Sequence, residues 1–248
     1  MKKTPKIRLY ANSPLSIGME WVPDTGQIHY LLNVLRMESG DELKLFDNQS
    51  GEYIGVISQI SKKSCVIHIL DKTREMERSP DLWLLFAPIK KDKTDFIISG
   101  ATELGVRKII PVITKRTISE RVKKERFEAQ VIEASEQSRR LDVPEITEAY
   151  TLEKILKEWP QNRILYFMDE SGQGGIIADI FGKADKQQSA AILVGPEGGF
   201  SDEELKTLRG LSFAYGVSMG KRILRAETAV QAALSCWQAL CGDWQKNH

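Results

Sequence analysis

The stretch Ile192-Leu193-Val194-Gly195-Pro196-Glu197-Gly198-Gly199-Phe200 runs directly into Ser201-Asp202-Glu203-Glu204. Residues 191–194 have the length and apolar content of a strand covered on both faces. The last four residues read as a capping box, with Ser201 as N-cap and Glu204 three positions on. A buried strand, a glycine-rich loop and a helix in that order are how α/β proteins build ligand sites at the carboxyl ends of parallel strands. Working outward, residues 82–88, 106–112 and 164–168 repeat the buried-strand texture. Residues 93–104 carry helical apolar spacing at Phe96, Ile97, Ala101 and Leu104, and residues 120–140 read as a long helix. Val230, Ala233, Leu234, Trp237 and Cys241 fall on one face of a terminal helix. Alternation of strand and helix from residue 81 onward predicts an α/β domain with a mainly parallel sheet.

The first 72 residues differ in texture. Ile28, Leu31, Leu32 and Leu35 mark one face of a short helix, which Gly40 ends. Three strand candidates follow at residues 43–46, 53–57 and 65–70, with turn chemistry at Asp47-Asn48-Gln49-Ser50-Gly51 and Ser61-Lys62-Lys63-Ser64. Short strands closing on themselves suggest a small β-barrel. Residues 73–80 are polar and end in Ser79-Pro80, a linker pattern. The organisation predicted is a domain over 1–72, a linker over 73–80 and a second domain over 81–248.

Composition excludes several classes. The 248 residues carry 35 Lys and Arg against 34 Asp and Glu, a formal charge of +1, and 42% are hydrophobic. That is neither a polycation nor an acidic disordered chain. The longest strongly apolar run, residues 82–89, is far short of the roughly 20 residues that span a bilayer, so no membrane segment is expected. Three cysteines, Cys65, Cys236 and Cys241, do not make a disulfide framework, and the expected location is a reducing cytoplasm. Three scattered histidines, His29, His68 and His248, give no metal-site spacing, so no metal is expected. Basic clusters at Lys2, Lys3, Lys6 and Arg8, and at Lys115, Arg116, Arg121, Lys123, Lys124, Arg126, Arg139 and Arg140, permit contact with phosphate. Solvated helix faces would look the same.

The glycine loop is not a phosphate loop of the Walker type, because no Gly-Lys-Ser/Thr follows it. Glu197, Asp202, Glu203 and Glu204 would repel a phosphate from the helix N-terminus, so a cationic or neutral ligand suits it better. A structural turn is the competing reading of these glycines. A second stretch, Met219-Gly220-Lys221-Arg222-Ile223-Leu224-Arg225-Ala226-Glu227-Thr228-Ala229-Val230, follows a short strand candidate at 215–219 and opens the last helix. Arg225 and Glu227 sit in the connection between elements, where site residues concentrate. A surface ion pair and a helix-start carboxylate would fit them equally well.

Together, Leu193–Ser201 and Gly220–Ala229 resemble the motifs of the 16S ribosomal RNA uridine-N3 methyltransferases, a family of the SPOUT class of knotted methyltransferases. The resemblance runs over nearly the whole chain. It includes Tyr30–Met37 with His29 at its head, Ser61-Lys62-Lys63-Ser64, Thr102-Glu103-Leu104-Gly105-Val106 and Glu136-Gln137-Ser138. One departure stands out. The family carries a Lys before its Thr-Glu-Leu-Gly segment, where this chain reads Ile98-Ser99-Gly100-Ala101-Thr102.

The resemblance implies an N-terminal PUA-like barrel that helps bind RNA and a C-terminal SPOUT domain threaded as a trefoil knot. It implies S-adenosylmethionine as methyl donor, a homodimer, and 16S ribosomal RNA in the small subunit as substrate. Backbone groups of Val194, Gly195, Gly199, Met219 and Gly220 would surround the donor within the loop that also holds Pro196, Glu197 and Gly198, with Ile223 and Leu224 on the adenine and Met168 nearby. Arg225 and Glu227 would act on the uracil, and Arg8, His29 and Arg36 would contact RNA. A SPOUT ribose 2'-O-methyltransferase and a non-enzymatic RNA-binding assembly factor are the alternatives.

Overall fold

Leu43 and Leu45, then Cys65, Ile67 and Ile69, are buried in alternation with more exposed neighbours, and that period of two sets the N-terminal sheet. In the computed structural model, which describes residues 5–61, 64–118, 122–186 and 188–245, the chain forms two units. The first holds β1 (Arg8–Tyr10), β2 (Glu20–Trp21), α1 (Thr25–His29), β3 (Glu42–Phe46), β4 (Gly51–Ile60) and β5 (Cys65–Glu75). Its strands lie in the order β1-β3-β4-β5-β2, antiparallel except for the β1–β3 pair. β1 and β2 are the two edges, so the barrel expected from the sequence is a curled, open sheet. Three register shifts between β4 and β5 supply the bend, because each bulge sharpens the local twist. The short helix forms, but α1 passes into a π-helical turn over Tyr30–Val34 that buries Leu31. The Asp47 carboxylate accepts hydrogen bonds from the backbone N–H groups of Leu15, Gln49 and Ser50, which builds the turn between β3 and β4. Of the turn read at 61–64, Lys62 and Lys63 lie outside the described residues; Ser61 N–H donates to Ser64 O at 2.8 Å.

Two boundaries differ from the sequence expectation. β5 continues to Glu75, into the stretch read as linker. Ser135–Asp142 belongs with the first unit, interrupting the continuous domain expected over 81–248. The cause is hydrogen bonding that a linear reading cannot see. Arg8 donates to Ser135 O at 2.8 Å and to Arg140 O at 2.6 Å, and Tyr10 N–H donates to the Glu136 carboxylate at 2.9 Å.

The second unit holds β6 (Leu82–Phe86), α2 (Lys91–Glu103), β7 (Lys108–Ile113), most of α3 (Lys124–Ser138), β8 (Glu145–Ile146), β9 (Tyr150–Thr151), α4 (Leu152–Lys157), β10 (Ile164–Met168), β11 (Gly175–Ile176), α5 (Ile177–Gly182), β12 (Ala190–Val194), α6 (Asp202–Arg209), β13 (Ala214–Ser218) and α7 (Ala226–Leu240). The start expected for α3 at Glu120, together with Arg121, lies outside the described residues. The strands run β11-β13-β10-β12-β6-β7-β8, with β9 also on β7, and the pairs along that order are parallel. Alternate residues of the central strands enter two cores: Leu84, Phe86, Tyr166, Met168, Ile192 and Val194 on one face, Leu85, Leu165, Phe167 and Leu193 on the other. Covered on both faces, these strands need the continuous apolar runs that the sequence shows.

Helix α7 buries the predicted face of Val230, Ala233, Leu234, Trp237 and Cys241. In α2 the buried stripe is Ile97, Ile98 and Ala101, whereas Phe96, expected inside, is 57% exposed. At Gly100, the site of the family departure, a Cβ would meet the Gln231 amide of α7, so the space beside the glycine is taken by that side chain.

Candidate active site

β13, β10 and β12 are neighbours in the sheet, and their carboxyl ends deliver three loops to one place. The loops after Met168, Val194 and Ser218 enclose a cleft of about 710 Å³, its open side included. Met168, Val194, Gly195, Pro196, Glu197, Gly199, Met219, Gly220, Ile223 and Leu224 all line it, so residues far apart in sequence meet as expected. Gly198 does not; it faces Arg116, whose guanidinium donates to Gly198 O at 2.9 Å and to Phe200 O at 3.2 Å.

The loop after β12 is held from every side. Gly199 has φ +67°, and a Cβ there would collide with the Glu170 carboxylate, which accepts from Phe200 N–H at 2.9 Å. The Phe200 ring lies under Gly195. Downstream, the capping box forms as read: Ser201 Oγ accepts from Glu204 N–H, and the Glu204 carboxylate accepts from Ser201 N–H at 2.8 Å. The other Glu204 oxygen accepts from Lys115 N–H at 2.8 Å.

The sequence reading missed Asp169 and Glu170 as cleft residues, together with Gly172, Val217, Ser218, Lys221, Arg222, Ala226 and Ala229. The signal was present: Asp169 and Glu170 directly follow a predicted buried strand, where parallel sheets place ligand groups. Burial alone would raise the Asp169 pKa, but hydrogen bonds from Ser171 and Arg209 outweigh it and hold the carboxyl below its ordinary value.

Arg225 and Glu227 stand beside the cleft at the head of α7. Arg225 is the N-cap residue, exposed, and its guanidinium has no hydrogen-bond or ion-pair partner among the described residues. Glu227 is in the first helical turn; its Oε2 is buried with no hydrogen-bond partner among the described residues, and its Oε1 lies 3.5 Å from Lys93 Nζ. Lys93 also pairs with Glu197, which raises the lysine pKa and lowers that of the carboxyl.

Of the residues expected at RNA, His29 and Arg36 are exposed at the end of α1 and after the π-helical turn, and Arg36 holds φ +56°. Arg8 is corrected. It is 8% exposed, its Nε donates to Glu52 at 2.8 Å, its other donors bind Ser135 O and Arg140 O, and its guanidinium stacks on Phe46. With one bond from each guanidinium nitrogen to the protein, Arg8 packs within the first unit, which is a structural role that the sequence expectation did not assign. The second basic cluster is also largely used internally: Lys115 pairs with Glu203, Lys124 with Glu128 and Arg126 with Asp95. Lys2, Lys3 and His248 lie outside the described residues. Among the described residues no three His, Cys, Asp or Glu side chains group as a metal site, and no helix is long and apolar enough to cross a membrane.

The chain matches the family model of the RNA methyltransferase domain over residues 77–238 and that of the RNA methyltransferase PUA domain over residues 22–70. It is 36% identical to ribosomal RNA small subunit methyltransferase E of Rickettsia conorii, with 92% of this chain and 93% of that protein aligned. It is 30% identical to the Bacillus subtilis protein of the same name, over 84% and 86%. Among solved structures, ribosomal RNA small subunit methyltransferase E of Neisseria gonorrhoeae bound to S-adenosylmethionine superposes with a TM-score of 0.87 at 29% identity, covering 96% of this chain and 99% of that one. A Legionella pneumophila methyltransferase in complex with the same cofactor gives 0.85 at 30% identity, over 96% and 98%. Matched across both units by family models and across most of its length by these relatives, the chain belongs to the ribosomal RNA small subunit methyltransferase E family of RNA methyltransferases.

Proposed function

We propose that this chain transfers a methyl group from S-adenosylmethionine to N3 of a uridine in 16S ribosomal RNA within the assembled small subunit, acting as a cytoplasmic homodimer. The observation that carries this reading is the convergence of the two glycine-bearing loops, 194–200 and 219–224, on one cleft. The family and the donor named in the Neisseria structure point the same way. The residues present fit such a donor. The cleft offers backbone from two glycine loops, the Glu197 carboxylate, the apolar side chains of Met168, Ile223 and Leu224, and the cations Lys221 and Arg222. The Asp169 carboxylate already accepts from Ser171 and Arg209, and that of Glu170 from Phe200 N–H. The glycine backbone and the apolar side chains suit a donor that carries an apolar ring. The bound donor would supply an electrophilic methyl group on a positively charged sulfur.

The chain's own contribution is alignment and charge. Backbone groups of Val194, Gly195, Gly199, Met219 and Gly220 would fix the donor on a floor that Arg116 and Glu170 already hold rigid. Uracil N3 carries a proton that must leave as the N–CH3 bond forms. Arg225, with its donors uncommitted, would hydrogen-bond a uracil carbonyl as negative charge develops on the base. Glu227, two residues further, would orient Arg225 or accept the N3 proton. The base must be unstacked to reach the cleft, and His29 and Arg36 would contact RNA.

The SPOUT knot belongs to the same reading. β12 lies between β6 and β10, the chain then skips past β10 to reach β13, and α7 returns against α2 and α5. Such crossovers support threading. Exposed Phe96 and Ile223 leave apolar surface that a second copy would cover.

The test is nucleoside mass spectrometry of small-subunit RNA from a strain lacking the gene, with and without complementation. The expected result is 3-methyluridine only in the complemented strain. A 2'-O-methyl nucleoside restored instead would replace base methylation by ribose methylation, and no restored nucleoside would leave an assembly factor.

A further inference from the structure

Lys93 is out of place for helix stability. It lies in the first turn of α2, where the positive end of the helix dipole disfavours a cation, and Lys90 and Lys91 stand beside it. What offsets this is a pair of carboxylates from two other elements. Lys93 Nζ pairs with Glu197, which lines the cleft in the loop after β12, and sits 3.5 Å from Glu227 at the head of α7. One ammonium thereby joins the loop that would carry the donor to the segment that would receive the base. The Lys93 and Glu197 side chains are 31% and 37% exposed, so the bridge adds little to global stability. Glu227 is different: at 14% exposure it has one oxygen directed at Lys93 and the other buried without a partner.

We propose that Lys93 is a positioning residue for methyl transfer, holding Glu227 and Glu197 in fixed register so that the Arg225–Glu227 segment and the donor loop meet the base together. This rests on the function proposed above. Without the ammonium, the Glu197 and Glu227 carboxylates lose the cation they share, and the Glu227 side chain loses the partner that fixes it. The donor floor survives, because Arg116 and Glu170 hold it independently of Lys93. Lys93 therefore acts on turnover more than on donor affinity.

The full chain is assayed on small subunits lacking the modification, with donor affinity by calorimetry and thermal melting as a check on folding. In Lys93→Ala, turnover at saturating donor is expected to fall about 10-fold or more, as a misplaced reacting group does, with donor affinity within about 3-fold and melting nearly unchanged. Lys93→Arg keeps a cation of similar reach and should recover most of the loss. Lys93→Ala combined with Glu227→Gln should be no slower than Glu227→Gln alone, since residues acting as one unit are not additive. Wild-type turnover in Lys93→Ala would overturn the proposal. So would a loss confined to donor affinity, or losses that multiply in the double variant, which would place Lys93 directly on RNA. The wild-type protein run alongside keeps the two claims apart: if it binds no donor and makes no 3-methyluridine, the proposed function fails, whatever Lys93 does.

Discussion

Arg8 in the first unit and Arg225 in the second were both candidates for contact with the substrate, and the structure gives them opposite surroundings. Arg8 is buried, paired with Glu52 at 2.8 Å, bonded to two carbonyls and stacked on Phe46. Arg225 caps a helix with an exposed guanidinium that has no hydrogen-bond or ion-pair partner among the described residues. The architecture around each accounts for the difference. A curled five-stranded sheet has a small apolar core, and the first unit adds polar joints that tie Ser135–Asp142 to it. The parallel sheet is covered on both faces by apolar packing, so the side chains at its strand ends remain available to a ligand. An arginine's role follows from whether its neighbours have already used its donors.

The largest expected effect tests the buried member. Arg8→Ala leaves the Glu52 carboxylate buried with Lys44 and Thr73 but without its guanidinium, and should cost about 3–5 kcal/mol in urea unfolding. A cost under about 1 kcal/mol, with RNA binding lost, would return Arg8 to the substrate side of the comparison. Next, Arg225→Ala should lower turnover about 100- to 1000-fold while donor affinity stays within a few-fold. Loss of donor binding with turnover per bound donor preserved would break that assignment.

A third test concerns the donor floor. Gly199→Ala meets both a left-handed backbone and the Glu170 carboxylate, and should weaken donor binding about 10- to 100-fold. Gly182→Ala, at a position with open space around it, serves as the control and should bind normally. Equal affinities for the two variants would mean that the loop relaxes around a side chain.

The smallest effect is that of pH. For Glu52, burial raises the pKa, and hydrogen bonds from Lys44, Arg8 and Thr73 overcome it, so the folded value lies below the ordinary one. Asp47 is likewise lowered, by Ser50 and backbone donors against its burial. Their stabilisation is complete above the ordinary carboxylate range and is lost as pH falls through the depressed folded values. Urea midpoints of the wild type should therefore decline with acid in that window, and Glu52→Gln should flatten the decline. Parallel profiles would show that Glu52 is not linked to unfolding.

Much of the second unit was legible because its signals are local. Period and apolar runs marked its central strands, the Ser201–Glu204 spacing marked a cap that forms as read, and the glycine loops marked the cleft. Phe96 shows the limit of spacing: it directly precedes Ile97 and Ile98 on α2, and only the placement of α7 decides which side is covered. For Asp169 and Glu170 the local signal, a place directly after a buried strand, was present, but only the sheet order, with β10 between β12 and β13, brings them to the cleft. In the first unit the strands were legible, but the openness of the sheet and the recruitment of Ser135–Asp142 were not, since both depend on partners up to 132 residues away.

By itself, the sequence determined the elements, their caps, the alternation that makes a parallel sheet, and the two glycine stretches that mark the family. Tertiary structure alone decided that Arg8 is internal, that Lys93 bridges Glu197 and Glu227, and that three strand ends share one cleft. The physical reason is that periodicity and capping act over a few residues, whereas a side chain's charge partners depend on which strands become neighbours, and strand order here does not follow chain order.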